Sequence, residues 1–254
     1  MIEGRNLTKR FDGYAAVQDV SLAVARGERH AVIGPNGAGK TTLFNLFSGE
    51  ILPDSGRIAV DGVDVTRQPP DRRSRLGVGR SFQRNSLFRE FTVRENLAIA
   101  CALARRRAGS FWSPLSGMKD VQERAEALST YVGIAEDLGV EVAHLSYGSQ
   151  RQLEISMALA CEPKVLLLDE PTSGMSPEET RRIQGLIARL PRSMTVVVIE
   201  HDMDVVFSIA DRVTVLDYGR ILAQGSPQEI AASEAVRTRY LGQAVQPHVP
   251  PAVG

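Results

Sequence analysis

Residues 28–42 read ERHAVIGPNGAGKTT, and LFNLFSG follows over 43–49. An apolar run, a glycine-rich turn and an apolar helical stretch, in that order, make a mononucleotide-binding βα unit. The turn from Gly34 to Thr41 fits G-x-x-x-x-G-K-[ST] at every defined position. Glycines there let backbone N–H groups converge on phosphate oxygens without side-chain clash, and the helix behind adds its positive N-terminal end. Lys40 is placed to reach the β- and γ-phosphates, and the Thr41 hydroxyl to bind Mg²⁺. The chain has four lysines against 26 arginines, and one of the four stands at this point.

Reading outward, strand-like runs precede this unit at about 2–8 and 18–25, and RIAVDG (57–62) and LGVGRSF (76–82) follow it. The alternation in RIAVDG predicts an edge strand. From about 84 to 160 the pattern turns helical in VRENLAIACALARRR, KDVQERAEALSTYVGI and SQRQLEISMALAC. GSFWSPLSG (109–117) reads as a loop with Trp112 exposed, and the Pro-rich end, VQPHVPPAVG, as frayed.

Strands resume with KVLLLDE (164–170), a continuous apolar run of the kind buried on both faces in parallel sheets. It delivers Asp169 and Glu170 at the strand's C-terminal end, where α/β sheets bind ligands. Beside a phosphate loop, Asp169 is a candidate Mg²⁺ ligand and Glu170 a candidate general base. SPEETRRIQGLIARL (176–190) is a helix with Ser176 as N-cap and Pro177 at its first position. MTVVVIE (194–200) is a second buried strand, HDMDVVFSIA (201–210) a helix, and RVTVLDYGRILAQG (212–225) a hairpin turning at Tyr218-Gly219.

Composition narrows the function classes. With 254 residues, one large α/β unit or a core with a subdomain is expected. Thirty basic and 30 acidic residues leave no formal net charge, which argues against a general nucleic-acid binder. Aromatics are 6%, too few for a base- or sugar-stacking platform. Cys101 and Cys161 lie far apart with no spacing that suggests a disulfide framework or zinc site, and both read as buried small hydrophobes. The charged start, MIEGRNLTKRF, does not read as a signal peptide, and the longest apolar runs, such as LAIACALA (97–104), are far below the ~18 residues of a membrane span.

LSYGSQRQLEI (145–155) adds a third segment, in which Ser146 and Gly148 precede a helix expected to begin near Ser149. A phosphate loop, LSYGSQ before a helix, and VLLLDEP soon after resemble the ATP-binding subunits of ABC transporters over residues 2–243. The resemblance implies an α/β fold: a P-loop NTPase core with a mostly parallel sheet, an N-terminal antiparallel β subdomain and an inserted helical subdomain. It implies one ATPase domain over 1–243, with its core from 1–83 and 161–243, the helical subdomain over about 84–160, and a flexible Pro-rich tail over 244–254.

The ATP-binding set it implies is Phe11, stacking on adenine, Val17 beside the ribose, and Gly34, Pro35, Asn36, Gly37, Ala38, Gly39, Lys40, Thr41 and Thr42. Glu170, His201 and Gln83 are the implied catalytic residues, and Thr41, Gln83 and Asp169 the Mg²⁺ ligands. Ser146, Tyr147, Gly148, Ser149 and Gln150 form the signature that meets the ATP of a partner subunit. Tyr147 replaces a common glycine, and Ser176 stands where many members have Asp and LivG-like ones often Asn.

SFQRNSLFREFTVRENL, LSYGSQRQLEI and VVVIEHDMDVV further resemble the LivG-type ATPases of branched-chain amino acid importers. That likeness implies ATP-driven uptake of branched-chain or other hydrophobic amino acids, or related amides or urea. The implied partners are a second ATPase subunit (a LivF-like one favoured, an identical chain possible), transmembrane permease subunits and, indirectly, a solute-binding protein. No nucleic-acid partner is expected. The protein would sit peripherally on the cytoplasmic face of the inner membrane. Leu87, Phe88 and Phe91 are expected to form a groove for a short helix of the membrane subunit. A lipid or lipopolysaccharide exporter subunit, a non-transport member of the family and a non-hydrolysing regulator remain alternatives.

Overall fold

A computed structural model describes residues 1–81, 87–105 and 118–241. Two sheets form the framework. The first is antiparallel, in the order β2-β1-β4-β5, from β1 (Ile2–Phe11), β2 (Tyr14–Val24), β4 (Ser55–Val60) and β5 (Val63–Asp64). The second has the order β10-β9-β3-β8-β7-β6. Its members are β3 (Arg29–Ile33), β6 (Val78–Arg80), β7 (Val165–Asp169), β8 (Thr195–Ile199), β9 (Arg212–Asp217) and β10 (Arg220–Gly225). All neighbours in it run parallel except β9 and β10, the hairpin expected around Tyr218-Gly219.

The expected mixed α/β architecture is therefore present. One strand is placed differently from its reading. β4 pairs with both β1 and β5, so it is an interior strand, and the two-residue β5 forms the edge. Its alternation reflects burial of one face, which interior and edge strands of an antiparallel sheet share.

The apolar runs of β7 and β8 divide between two cores. Leu166, Leu168, Val196 and Val198 face the core shared with α3 (Val93–Ala104), α4 (Lys119–Val132), α5 (Tyr147–Leu159) and α6 (Pro177–Arg189). Val165, Leu167, Val197 and Ile199 face the other, with the antiparallel sheet and Leu43, Phe44, Leu46 and Phe47 of α1 (Lys40–Ser48). Period-two alternation places successive residues on opposite faces, so both faces must be apolar for such a strand to be buried. A third core joins Ala31, Ile33, Val213 and Val215 to Val206 of α7 (Met203–Ile209) and Ile230 of α8 (Pro227–Ala232).

α2 (Pro70–Arg75) was not expected from the sequence, and it carries Arg73 into the interior with no exposed surface. The Arg73 guanidinium donates to the carbonyls of Leu46, Phe47 (3.0 Å), Thr66 (3.1 Å) and Gln68 (2.9 Å). It thus closes the C-terminal end of α1, whose last carbonyls have no partner within the helix. Burial pushes its pKa down to about 10, which still leaves it charged at neutral pH.

Of the two cysteines, Cys101 is buried as expected. Cys161 is exposed just beyond α5, because its apolar neighbours belong to a helix that has already ended. Trp112 and the residues from 242 onward lie outside the described residues.

Candidate functional site

The turn from Gly34 connects β3 to α1 at the C-terminal edge of the parallel sheet. Gly39, the residue before α1, has φ +98°, and a side chain there would put Cβ 2.2 Å from the Ala16 carbonyl oxygen. Gly37, at φ +82°, has open space around it. The loop is wedged in place from outside: Gly219 N donates to Ala38 O (3.1 Å), and Gln18 N to Gly219 O (2.7 Å). Pro35, Asn36, Gly37 and Thr41 are exposed, whereas Gly34, Ala38 and Lys40 are buried. The Lys40 ammonium lies inside its own loop, donating to Gly34 O (2.7 Å) and Pro35 O (3.0 Å). Burial lowers its pKa, while Glu170 and Asp169 act to raise it, so all three groups share one electrostatic neighbourhood.

Asp169 ends β7 with 2% of its surface exposed. Its Oδ2 accepts from Arg80 Nη2 at 3.4 Å, and its Oδ1 is buried without a partner. Burial raises its pKa, and Arg80 opposes that rise. Glu170 follows at φ +45°, a left-handed conformation that costs a non-glycine residue about 1–3 kcal/mol. Its backbone is fixed by Glu170 N to Ile199 O (3.0 Å) and Ser173 N to Glu170 O (3.2 Å).

His201 leaves β8 on the adjoining strand end, its side chain 56% exposed and Nδ1 4.0 Å from Glu200 Oε2. Glu200 is fully buried, and reading the sequence did not single it out. It accepts from Thr172 N (3.1 Å), Thr172 Oγ1 (2.6 Å) and His201 N (3.2 Å). One carboxylate thus ties the segment after Glu170 to the segment that carries His201.

The signature residues open α5. The helix begins at Tyr147, two residues earlier than expected, because Ser146 is its N-cap: Ser146 Oγ accepts from Ser149 N at 3.1 Å. Gly148 therefore lies in the first turn, not before the helix. Its N–H donates to Glu179 Oε1 (3.1 Å), whose Oε2 accepts from Ser176 N and Ser176 Oγ (both 3.0 Å). Glu179 is thus the capping-box acid of α6 and a partner of α5 at once. Ser149 Oγ donates to Asp137 Oδ2 (3.1 Å) and Gln150 Nε2 to Leu145 O (3.1 Å), while Tyr147 stands 47% exposed. None of these bonds reaches the phosphate loop.

Phe11 is 46% exposed at the end of β1, with Lys9 Nζ 5.5 Å from its ring centroid. Tyr14, its register partner across the hairpin, is 56% exposed and was not anticipated. Val17 departs from expectation: it has no accessible surface and packs in the core with Val20 and Leu22, so its side chain offers nothing to a ribose. Gln83 lies outside the described residues. A cavity of about 750 Å³ is lined by Leu128, Tyr131, Leu190 and Met194 and contains none of the candidate residues.

The family model described as ABC transporter matches residues 17–173. The chain belongs to the ABC transporter family. It is an ABC ATPase cassette, a mixed α/β fold with an antiparallel N-terminal sheet and a parallel core sheet. It is 39% identical over 251 residues to the high-affinity branched-chain amino acid transport ATP-binding protein BraF of Pseudomonas aeruginosa, covering 96% of this chain and 98% of that one. To the corresponding LivG proteins it is 39% identical in Salmonella typhimurium (94% and 96% covered) and 37% in Escherichia coli (96% and 98%). Among solved structures it resembles an ABC transporter ATP-binding cassette in its ADP conformation, with TM-score 0.86 and 28% identity over 96% of this chain and 99% of that one. A nucleotide-free cassette gives TM-score 0.80 at 25% identity, with 96% of each covered. Among the described residues no helix is long and apolar enough to cross a membrane.

Proposed function

We propose that this cassette hydrolyses ATP to power an importer of branched-chain or other hydrophobic amino acids. The observation that carries the reading is similarity to BraF and LivG over almost the whole of both chains, in a molecule that keeps Lys40, Asp169, Glu170 and His201.

ATP is received by the loop from Gly34 to Thr42, with Phe11 against the adenine. Lys40 exchanges its contacts with Gly34 O and Pro35 O for phosphate oxygens. Magnesium fits the residues present, since the orphaned Asp169 Oδ1 and the exposed Thr41 hydroxyl are oxygen ligands of the kind it takes. Thr41, Asp169 and Gln83 would hold it, and it would neutralise charge on the phosphates.

Glu170 orients a water and accepts its proton as the water oxygen bonds to the γ-phosphorus. The bond from that phosphorus to the bridging oxygen then breaks, and its electrons leave on ADP. His201 donates to the γ-phosphate. Phosphoryl transfer needs placed charge and donors more than covalent help from the protein.

Ser146 and Gly148 meet the nucleotide of a second ATPase subunit, so ATP joins two cassettes and hydrolysis releases them. A LivF-like partner is favoured over an identical chain. Membrane subunits dock beside Phe88 and Phe91, which are 50% and 42% exposed and stacked at 5.5 Å. A cavity of about 550 Å³ lined by Phe91, Arg94, Glu95 and Ile99 adjoins them. On this reading the protein works at the cytoplasmic face of the membrane. The test is reconstitution with its permease subunits and a solute-binding protein in vesicles: ATP-dependent leucine uptake is expected, and ATP hydrolysis without uptake of any aliphatic amino acid would overturn the assigned cargo.

A further inference from the structure

We infer that Arg80 is a positioning residue for the magnesium site: it holds one oxygen of Asp169 and, through Asn45, the face of α1 that bears Thr41. The inference rests on the proposed ATPase reading and goes beyond it to a residue that reading does not use. Arg80 ends β6, one strand from β7, with 7% of its side chain exposed. Its Nη2 faces Asp169 Oδ2 at 3.4 Å. Its Nη1 lies 2.7 Å from Asn45 Oδ1, 3.1 Å from Ser48 Oγ and 2.9 Å from Glu50 Oε1.

The geometry has a direction. Residues four apart on a helix share a face, so Asn45 lies one turn below Thr41 on α1. Arg80 therefore spans the two elements that supply the candidate metal ligands. With Oδ2 engaged, Asp169 is left with Oδ1 alone, and that atom is buried without a protein partner. A carboxylate held by one oxygen and free at the other is oriented for a ligand.

A bare ion pair would not need this particular side chain. The planar guanidinium serves acceptors on α1, on Glu50 just beyond it and on β7 together, whereas a lysine ammonium is a single point with three donors. Groups that orient a metal's ligands commonly weigh ~10–100-fold in metal affinity.

The experiment measures binding of a fluorescent ATP analogue to the full chain, first in EDTA and then across a magnesium titration. Manganese EPR serves as a second readout of the metal itself. In Arg80→Met, metal-free nucleotide affinity stays within ~2-fold of the parent, while the magnesium needed for half-saturation rises by ~10-fold or more. Arg80→Lys falls between the two. Asn45→Ala, which removes the shorter of the two ties to α1 and leaves Asp169 its cation, moves the same way by less.

An unchanged magnesium requirement in Arg80→Lys and Asn45→Ala overturns the inference, as does a lower requirement, which would make Arg80 a competitor of the metal. If Arg80→Met does not fold, these two variants carry the decision. A parent chain that binds no ATP at all would instead overturn the ATPase reading, and that outcome is visible before any variant is made.

Discussion

Replacing Gly39 by alanine tests how tightly the phosphate loop is built into the fold, and Gly37→Ala supplies the comparison. Both positions have left-handed backbone, φ +98° and +82°, so both variants carry the ~1–2 kcal/mol that an L-residue meets there. They differ in what the added methyl group encounters. At position 37 nothing lies within 4 Å, whereas at 39 the Ala16 carbonyl oxygen stands 2.2 Å away and ordinary contact begins near 3.4 Å. The gap must open by more than 1 Å, and Ala16 cannot withdraw freely because it belongs to β2 within the antiparallel sheet. Forcing extra atoms into a packed site costs ~1–3 kcal/mol, which places Gly39→Ala at ~2–5 kcal/mol and Gly37→Ala at ~1–2 kcal/mol. Urea denaturation of the nucleotide-free chain reads both, as shifts in midpoint at constant slope. Equal losses in the two variants, or a Gly39→Ala protein as stable as its parent, would refute the account of the loop as wedged against β2.

Glu170→Gln is expected to retain ATP binding and to lower turnover by ~100-fold or more, and undiminished phosphate release would remove Glu170 from the role of base. Phe88→Asp should abolish most ATP-driven uptake in reconstituted vesicles while basal ATP hydrolysis with the partner ATPase subunit stays as before; normal uptake would move the docking surface elsewhere. Arg73→Met leaves the buried carbonyls of Leu46 and Phe47, and the part-buried ones of Thr66 and Gln68, without their donor and should cost ~2–5 kcal/mol, read by chemical denaturation, with a loss below 1 kcal/mol showing that other donors replace it. Asp61 is held well below the usual carboxylate range by the N-terminal ammonium, then by Arg26 and Lys164. A carboxyl lowered in this way stabilises the fold above its unfolded value, and the gain is lost as pH falls, so Asp61→Asn should flatten the rise of stability between about pH 2 and 5 at low salt. An identical slope in parent and variant would count against that pairing.

The parts of the fold that could be read from the chain alone are those whose chemistry is local. The turn from Gly34 to Thr41 is specified within a few residues, and β7 and β8 announce themselves because burial on both faces demands unbroken apolar runs. The cap at Ser176 belongs to the same class, whereas Ser146 reads only as lying with Gly148 ahead of a helix from near Ser149, and it caps that helix directly. What escaped depends on distant partners. β4 has the alternation of any half-buried strand, and only its pairing with β1 on one side and β5 on the other makes it interior. Arg80, Arg73 and Glu200 are ordinary polar residues in the sequence, and their weight comes from partners up to 89 residues away. Val17 failed for the converse reason: nothing in its neighbours indicates which face of β2 it occupies, and it occupies the core side.

The Glu179 carboxylate has a mechanical corollary. Its two oxygens take the Gly148 amide in the first turn of α5 and the Ser176 amide and hydroxyl at the cap of α6, so one side chain fastens the starts of two helices whose bodies already share a core. The segment that follows the acidic strand end and the segment that opens α5 are thus pinned at one shared point.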